Sequence, residues 1–197
     1  MSSPKILVIS GSLRASSFNS KLAALAVKEF ALTDADVALI SLADYPLPLY
    51  DADLSAKSGP PLNAVKLKQL VGSHRGIFIA SPEYNASITP LLKNTIDWIS
   101  VVRERDEAQL AVFQNRVFAI GGASPGRSGA MQSCIALRQV LAVGCRALVI
   151  GEQVNVPNAG QAFGSMDELT DTRAATQLKV VVKKLMDCVR VLTVDLE

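Results

Sequence analysis

Short apolar runs of strand length recur at Lys5–Ser10, Asp36–Ser41, Gly76–Ala80, 116–121 and 146–150, and segments of helical period separate them. The predicted helices cover residues 18–33, 61–73, 89–102, 130–143 and 171–192. Strict alternation of strand and helix argues for a parallel sheet with right-handed crossovers and helices on both faces. Five such units suit a sheet of order 2-1-3-4-5 better than half of a longer dinucleotide-binding fold. Pro90 behind Thr89 marks a helix start, since proline is tolerated in the first turn and threonine can cap it. Residues 45–60, with prolines at 46, 48 and 60, read as an ordered but irregular connection.

Composition sharpens this picture. A chain of 197 residues with no shift in composition along it reads as one domain spanning 1–197. Its apolar share of 49% suits a sheet covered on both faces and leaves apolar surface for an oligomer interface. No segment reaches the roughly 18 consecutive apolar residues of a membrane span, and the start MSSPK lacks the pattern of a signal peptide, so a cytoplasmic protein is expected. A net charge of +2 is too mild for nucleic-acid binding. Cys134, Cys145 and Cys188 have neither CxxC nor metal-ligand spacing and read as ordinary small residues. His74 reads as a helix-end surface residue without metal partners, and the alternating run Arg103-Glu104-Arg105-Asp106-Glu107 as a solvated segment.

A sheet of this order binds ligands outside the carboxyl ends of its strands, beside strands one and three. The loops at those ends should therefore carry unusual residues, and they do. After the first strand come Gly11, Ser12, Arg14, Ser17 and Asn19: a glycine for the sharp exit, two hydroxyls, a planar cationic fork and an amide, leading into a helix N-terminus. Neither the GxxxxGK[ST] nor the GxGxxG spacing is present, so side chains holding a terminal phosphate fit better than bare backbone holding a pyrophosphate. After the third strand, Pro82 stiffens a loop in which Tyr84 offers a ring and Asn85 an amide. After the fourth, residues 122–129 are rich in glycine, so backbone N–H groups there can approach a flat ring. A phosphate at one end and a planar ring between two loops describe flavin mononucleotide (FMN).

At these residues the chain resembles the NAD(P)H-dependent FMN reductase family, which includes quinone, chromate and azo-dye reductases. GSLRASSFN at 11–19, SPEYNASITPLLKNTIDW at 81–98 and ASPGRSG at 123–129 carry the resemblance, with LPLYDADL at 47–54 and VNVPNAGQAF at 154–163. It implies a flavodoxin-like fold, bound FMN, a cytoplasmic homodimer or homotetramer, and electron transfer from NADPH or NADH to FMN and on to a flavin, quinone or similar acceptor. By the same resemblance Ser12, Arg14, Ser17 and Asn19 hold the FMN phosphate. Pro82, Glu83, Tyr84 and Asn85 lie along the ribityl chain and ring, Glu83 through its backbone. Ser124, Pro125 and Gly126 meet the pyrimidine side, with Arg127 beside them. Ser16 and Ala130 stand where many relatives have glycine, and Ala130 would alter how closely its loop meets the ring.

The chemistry of such a site belongs to the flavin, so no side chain is assigned an acid, base or metal-binding role. Donors from residues 124–127 are expected to favour negative charge on the reduced ring. In the family the helix at 89–102 helps form the dimer, against which Trp98 can simply fill the core. The alternatives are an electron carrier of the flavodoxin type and a non-catalytic flavin-binding module. Carriers of that type are strongly acidic and aromatic-rich, unlike this chain with its +2 charge and 5% aromatic content.

Overall fold

The computed structural model describes residues 3–194. Its sheet has five strands, all parallel, in the order β2-β1-β3-β4-β5: β1 Lys5–Ser10, β2 Asp36–Ser41, β3 Gly76–Ala80, β4 Val117–Ala123 and β5 Leu148–Val156. Residues alternate between the two faces of each strand, and each face buries its own core. Ile6, Val8 and Phe78 pack under α1 (Phe18–Ala31) and the long C-terminal helix. Leu7, Ile9 and Ile77 pack under the helices of the opposite layer.

That opposite layer and the connections follow in chain order. The exposed helix α2 (Ala52–Ser58) precedes α3 (Leu62–Ser73), α4 (Pro90–Val101), the short α5 (Ala111–Gln114) and α6 (Met131–Gln139), which runs on into a π turn, Val140–Gly144. A short α7 (Ala159–Ala162) and the helix α8 (Thr172–Val194) complete the chain. The first three strands coincide with the predicted runs.

Four expectations are corrected. The connection at 45–60 contains α2, because Asp51 accepts from the N–H groups of Asp53 and Leu54 and so caps a helix that buries none of its residues. β5 runs six residues past the predicted end at Ile150, through a register shift opposite Phe118 and Ile120. The Arg138 guanidinium supports that shift by donating to the carbonyls of Ile150 and Gly151. His74 does end α3, but it is buried, its Nδ1 bonded to the Leu70 carbonyl at 2.6 Å. The charged run at 103–107 is not wholly solvated, because Glu107 ion-pairs with Lys68, whose side chain is 7% exposed.

Trp98 is a core residue. It is fully buried, its Nε1 donates to the Pro48 carbonyl at 2.7 Å, and Tyr50 meets it edge-on at 5.1 Å. With Leu92, Ile96 and Ile99 also buried, most of the apolar arc of α4 is covered within the chain. Large apolar side chains exposed in this structure lie elsewhere, among them Met131, Ile135, Val143 and Leu148.

Candidate functional site

Pairing continues past the strand ends and gathers three loops. The N–H of Gly11 donates to the Ala80 carbonyl at 2.8 Å, that of Ser81 to Gly121 at 2.7 Å, and that of Ser124 to Val156 at 3.1 Å. These rungs hold the residues after β1, β3 and β4 side by side at one edge of the sheet. Gly11 sits where a Cβ would come within 3.0 Å of the Pro82 ring and 3.3 Å of Leu92, so a side chain there would press the loop after β3 outward by a few tenths of an ångström.

The first loop is built to receive an anion. Ser17 caps α1, its Oγ accepting the Asn19 N–H at 3.2 Å, and the Ser12 Oγ accepts the Arg14 N–H at 3.3 Å. Both hydroxyls thereby act as acceptors toward backbone and keep their own protons for a further partner. Among the described residues the Arg14 guanidinium has neither an ion-pair nor a hydrogen-bond partner, and the N–H groups of Leu13, Ala15 and Ser16 make no bond. Free donors, a free cation and the positive end of a 14-residue helix thus share one loop.

Asn19 behaves differently from its expected role at the phosphate. It is buried, and its side-chain amide pairs with both backbone groups of Ala123: Nδ2 donates to the carbonyl and Oδ1 accepts the N–H, each at 2.9 Å. The residue ties the start of α1 to the end of β4.

In the loop after β3, the backbone of Tyr84 and that of Ser87 exchange two hydrogen bonds, and both central residues are left-handed, Asn85 at φ 51 and Ala86 at φ 60. This is the two-residue turn that demands positive φ at both positions, and asparagine is among the side chains that tolerate it best. The turn holds Tyr84 about half exposed at the rim of the cleft. The Glu83 carboxylate is engaged with protein: its Oε2 accepts from the N–H groups of Gln132 at 3.0 Å and Ser133 at 3.2 Å and so caps α6. Ser133, fully buried, bonds to the Ser81 hydroxyl at 2.7 Å and donates to the Pro82 carbonyl at 2.8 Å. Together they fasten the turn to α6.

The loop after β4 closes the other side. The N–H of Ser124 bonds to Val156 and that of Gly126 to the Ser124 Oγ, so the amides of Arg127 and Ser128 are the donors left in this loop. Gly129 has φ 60, and a Cβ there would lie 2.8 Å from the Pro157 nitrogen. Ala130, also left-handed at φ 63, is buried, with its methyl toward Gly122 rather than the cleft. Below this loop burial pushes the Cys134 thiol up to about 12, so it stays protonated and unreactive.

One cleft is lined by Ser12, Arg14, Ser17, Asn19, Pro82, Glu83, Tyr84, Ser124 and Pro125, together with Phe18 and Ala123. Phe18 and Ala123 were missed in the sequence. Phe18, the first residue of α1, could have been suspected from its place directly after the capping serine; Ala123 heads the motif at 123–129 but has no side-chain chemistry to mark it. Asn85, Gly126 and Arg127 lie outside this cleft. Arg127 instead lines a neighbouring hollow beside the start of α8.

The family model for NADPH-dependent FMN reductases matches residues 4–161, which takes in all three loops. The chain belongs to this family. This FMN reductase family member is 33% identical to an NAD(P)H-dependent FMN reductase of Pseudomonas aeruginosa over 94% of its own length and 95% of the relative's. It is 34% identical to a quinone reductase of Escherichia coli K12, over 70% of this chain and 69% of that one. Among solved structures it superposes on the flavoenzyme NAD(P)H:acceptor oxidoreductase FerB of Paracoccus denitrificans with a TM-score of 0.71 and 26% identity, covering 95% and 97% of the two chains. An archaeal flavodoxin shares the fold at a TM-score of 0.59 and 14% identity. The flavodoxin-like fold expected from the resemblance is therefore the fold observed, and the protein is an NAD(P)H-dependent flavoprotein oxidoreductase.

Proposed function

We propose that the cleft binds FMN and that the protein passes electrons from NADPH or NADH to quinones. The observation that carries this reading is the anion loop: two serine hydroxyls with protons free, an unpaired Arg14 and open N–H groups at the α1 N-terminus suit a phosphate monoester. FMN fits the donor set, with Ser12, Arg14 and Ser17 holding its phosphate, Pro82, Tyr84 and Asn85 following the ribityl chain and ring, and Ser124, Pro125, Gly126 and the backbone of Arg127 meeting the ring's pyrimidine side. When bound, the flavin accepts hydride and releases one or two electrons.

The protein's own part is to orient and to polarise. The turn at 84–87 fixes the Tyr84 ring at one rim of the cleft, where it can flank a planar group. The amides of Arg127 and Ser128 would favour negative charge at that side, an effect that needs no proton donor. Asn19 and Glu83 act by positioning: each holds a loop in place through bonds to backbone.

Quinones are the proposed acceptors, since relatives in Escherichia coli and a 2-hydroxy-1,4-benzoquinone reductase of Burkholderia are named for them. Free flavin, chromate and azo dyes extend the proposal, as do a cytoplasmic location and a homodimer or homotetramer. The test has two parts. Apo-protein mixed with FMN or with riboflavin should retain FMN stoichiometrically and riboflavin far less, and equal retention would remove the phosphate assignment. FMN-loaded protein should oxidise NADPH or NADH with a benzoquinone, and failure with both donors would leave the carrier reading in its place.

A further inference from the structure

The donor's phosphates need a site of their own, because the anion loop is taken by the flavin's. A hollow of about 130 Å³ lies on the far flank of the loop after β4, between that loop and the start of α8. Arg127 reaches it from the loop and Arg173 from the first turn of α8, and neither has an ion-pair or hydrogen-bond partner among the described residues. Other cations at this edge are committed: Arg14 belongs to the anion loop, and Lys21 pairs with Asp167 at 2.5 Å.

The hollow is also backed by hydrogen bonds. Asn155 donates to the Gly129 carbonyl at 3.0 Å, and Gln177 accepts the Asn155 N–H at 3.4 Å, which ties β5, α8 and the glycine turn together behind it. The one carboxylate on its lining is Asp171, whose Oδ1 accepts the Ala174 N–H at 2.9 Å and so is held at the α8 N-terminus, where the helix dipole offsets its charge. Met131, 45% exposed at the rim, offers a polarisable apolar shelf for a purine.

We propose that Arg127 and Arg173 bind the 2′-phosphate of NADPH and make it the preferred electron donor over NADH. This rests on the oxidoreductase reading above. A phosphate monoester carries close to two negative charges and three acceptor oxygens, and two unpaired guanidinium groups from separate elements lining one hollow match that charge. NADH presents a hydroxyl at the same position, which gains nothing comparable from two cations. The hollow shares the 124–128 loop with the flavin cleft, so a donor lying over the ring reaches it by crossing that loop.

The experiment uses FMN-loaded protein, so that the anion loop is filled, and titrates it calorimetrically with 2′,5′-ADP and with 5′-AMP. The 2′-phosphorylated probe should bind at least tenfold more tightly. Arg173→Ala lies outside the flavin cleft and should weaken 2′,5′-ADP about ten- to hundredfold, the worth of a charge-assisted contact. It should raise KM for NADPH by a similar factor, leaving KM for NADH and the bound flavin unchanged. Arg127→Ala should weaken 2′,5′-ADP likewise. Equal affinity for the two probes, or an unchanged NADPH to NADH preference in Arg173→Ala, overturns the site while leaving the oxidoreductase reading intact. Parallel losses for both donors would assign the arginines to the shared pyrophosphate and overturn the 2′-phosphate. Protein that loads no FMN and oxidises neither donor overturns both readings.

Discussion

Arg14 and Asn19 stand five residues apart, one on the loop and the other in the first turn of α1, and do opposite things. The arginine is exposed and unpaired, while the asparagine is buried with its amide bonded to Ala123 at both ends. Arg14→Ala should therefore weaken FMN retention by roughly 1.5–3 kcal/mol with no change in thermal stability. Equilibrium dialysis alongside a thermal melt checks this, and unchanged affinity would count against the assignment. Local sequence made Ser17 and Arg14 legible, since a capping serine and a lone cation declare themselves within a few positions. It could not reveal what Asn19 and Glu83 do, because their partners lie 104 and 49 residues away along the chain. Asn19 reads as an amide of the anion loop and Glu83 enters on family resemblance alone, and the structure adds that each binds backbone.

At the level of elements, β1 and β3 were legible because a strand buried on both faces reads as an uninterrupted apolar run, and the edge strand β2 because its apolar stretch from Val37 to Ile40 is unbroken. β5 was not, since its ladder carries a bulge that Gly151 and Glu152 disguise as an ending. α2 was hidden for a related reason: a helix with no buried face has no periodicity to detect, and only Asp51 announces it. The turn from β4 into α6 places Gly129 and Ala130 in succession at positive φ. A methyl at Gly129 would be strained by its φ and would also strike backbone of β5. Gly129→Ala should thus cost about 1–3 kcal/mol, read as a lowered denaturation midpoint, with looser flavin binding as the loop shifts. Wild-type stability in that variant would mean that the turn relaxes freely.

Across the whole molecule, the carboxyl edge of the sheet carries the candidate site and the opposite edge carries a half-buried ion pair. Lys68, on α3, meets Glu107 in the segment before α5, with Glu104 at 3.7 Å. The Lys68 ammonium, helped by the Glu104 N–H, holds the Glu107 carboxyl below its ordinary value of 4.5. A depressed folded-state value means that the pair stabilises above the unfolded value and that this contribution is lost as pH falls through the folded one. Glu107→Gln should accordingly be less stable than wild type at neutral pH, and the gap should narrow below about pH 4.5. Denaturant midpoints measured from pH 7 down to pH 3 test this, and a gap independent of pH would show that the pair's charge contributes nothing.

The bond pair between Asn19 and Ala123 has a consequence for what the cleft can measure. It fixes the anion loop relative to the loop after β4 before any ligand arrives, and the rung from Gly11 to Ala80 does the same for the loop after β3. The two ends of the cleft are therefore a calliper with its jaws locked. Under the proposed assignment, a flavin phosphate whose linker is one carbon shorter or longer should reach the phosphate jaw or the ring jaw but not both.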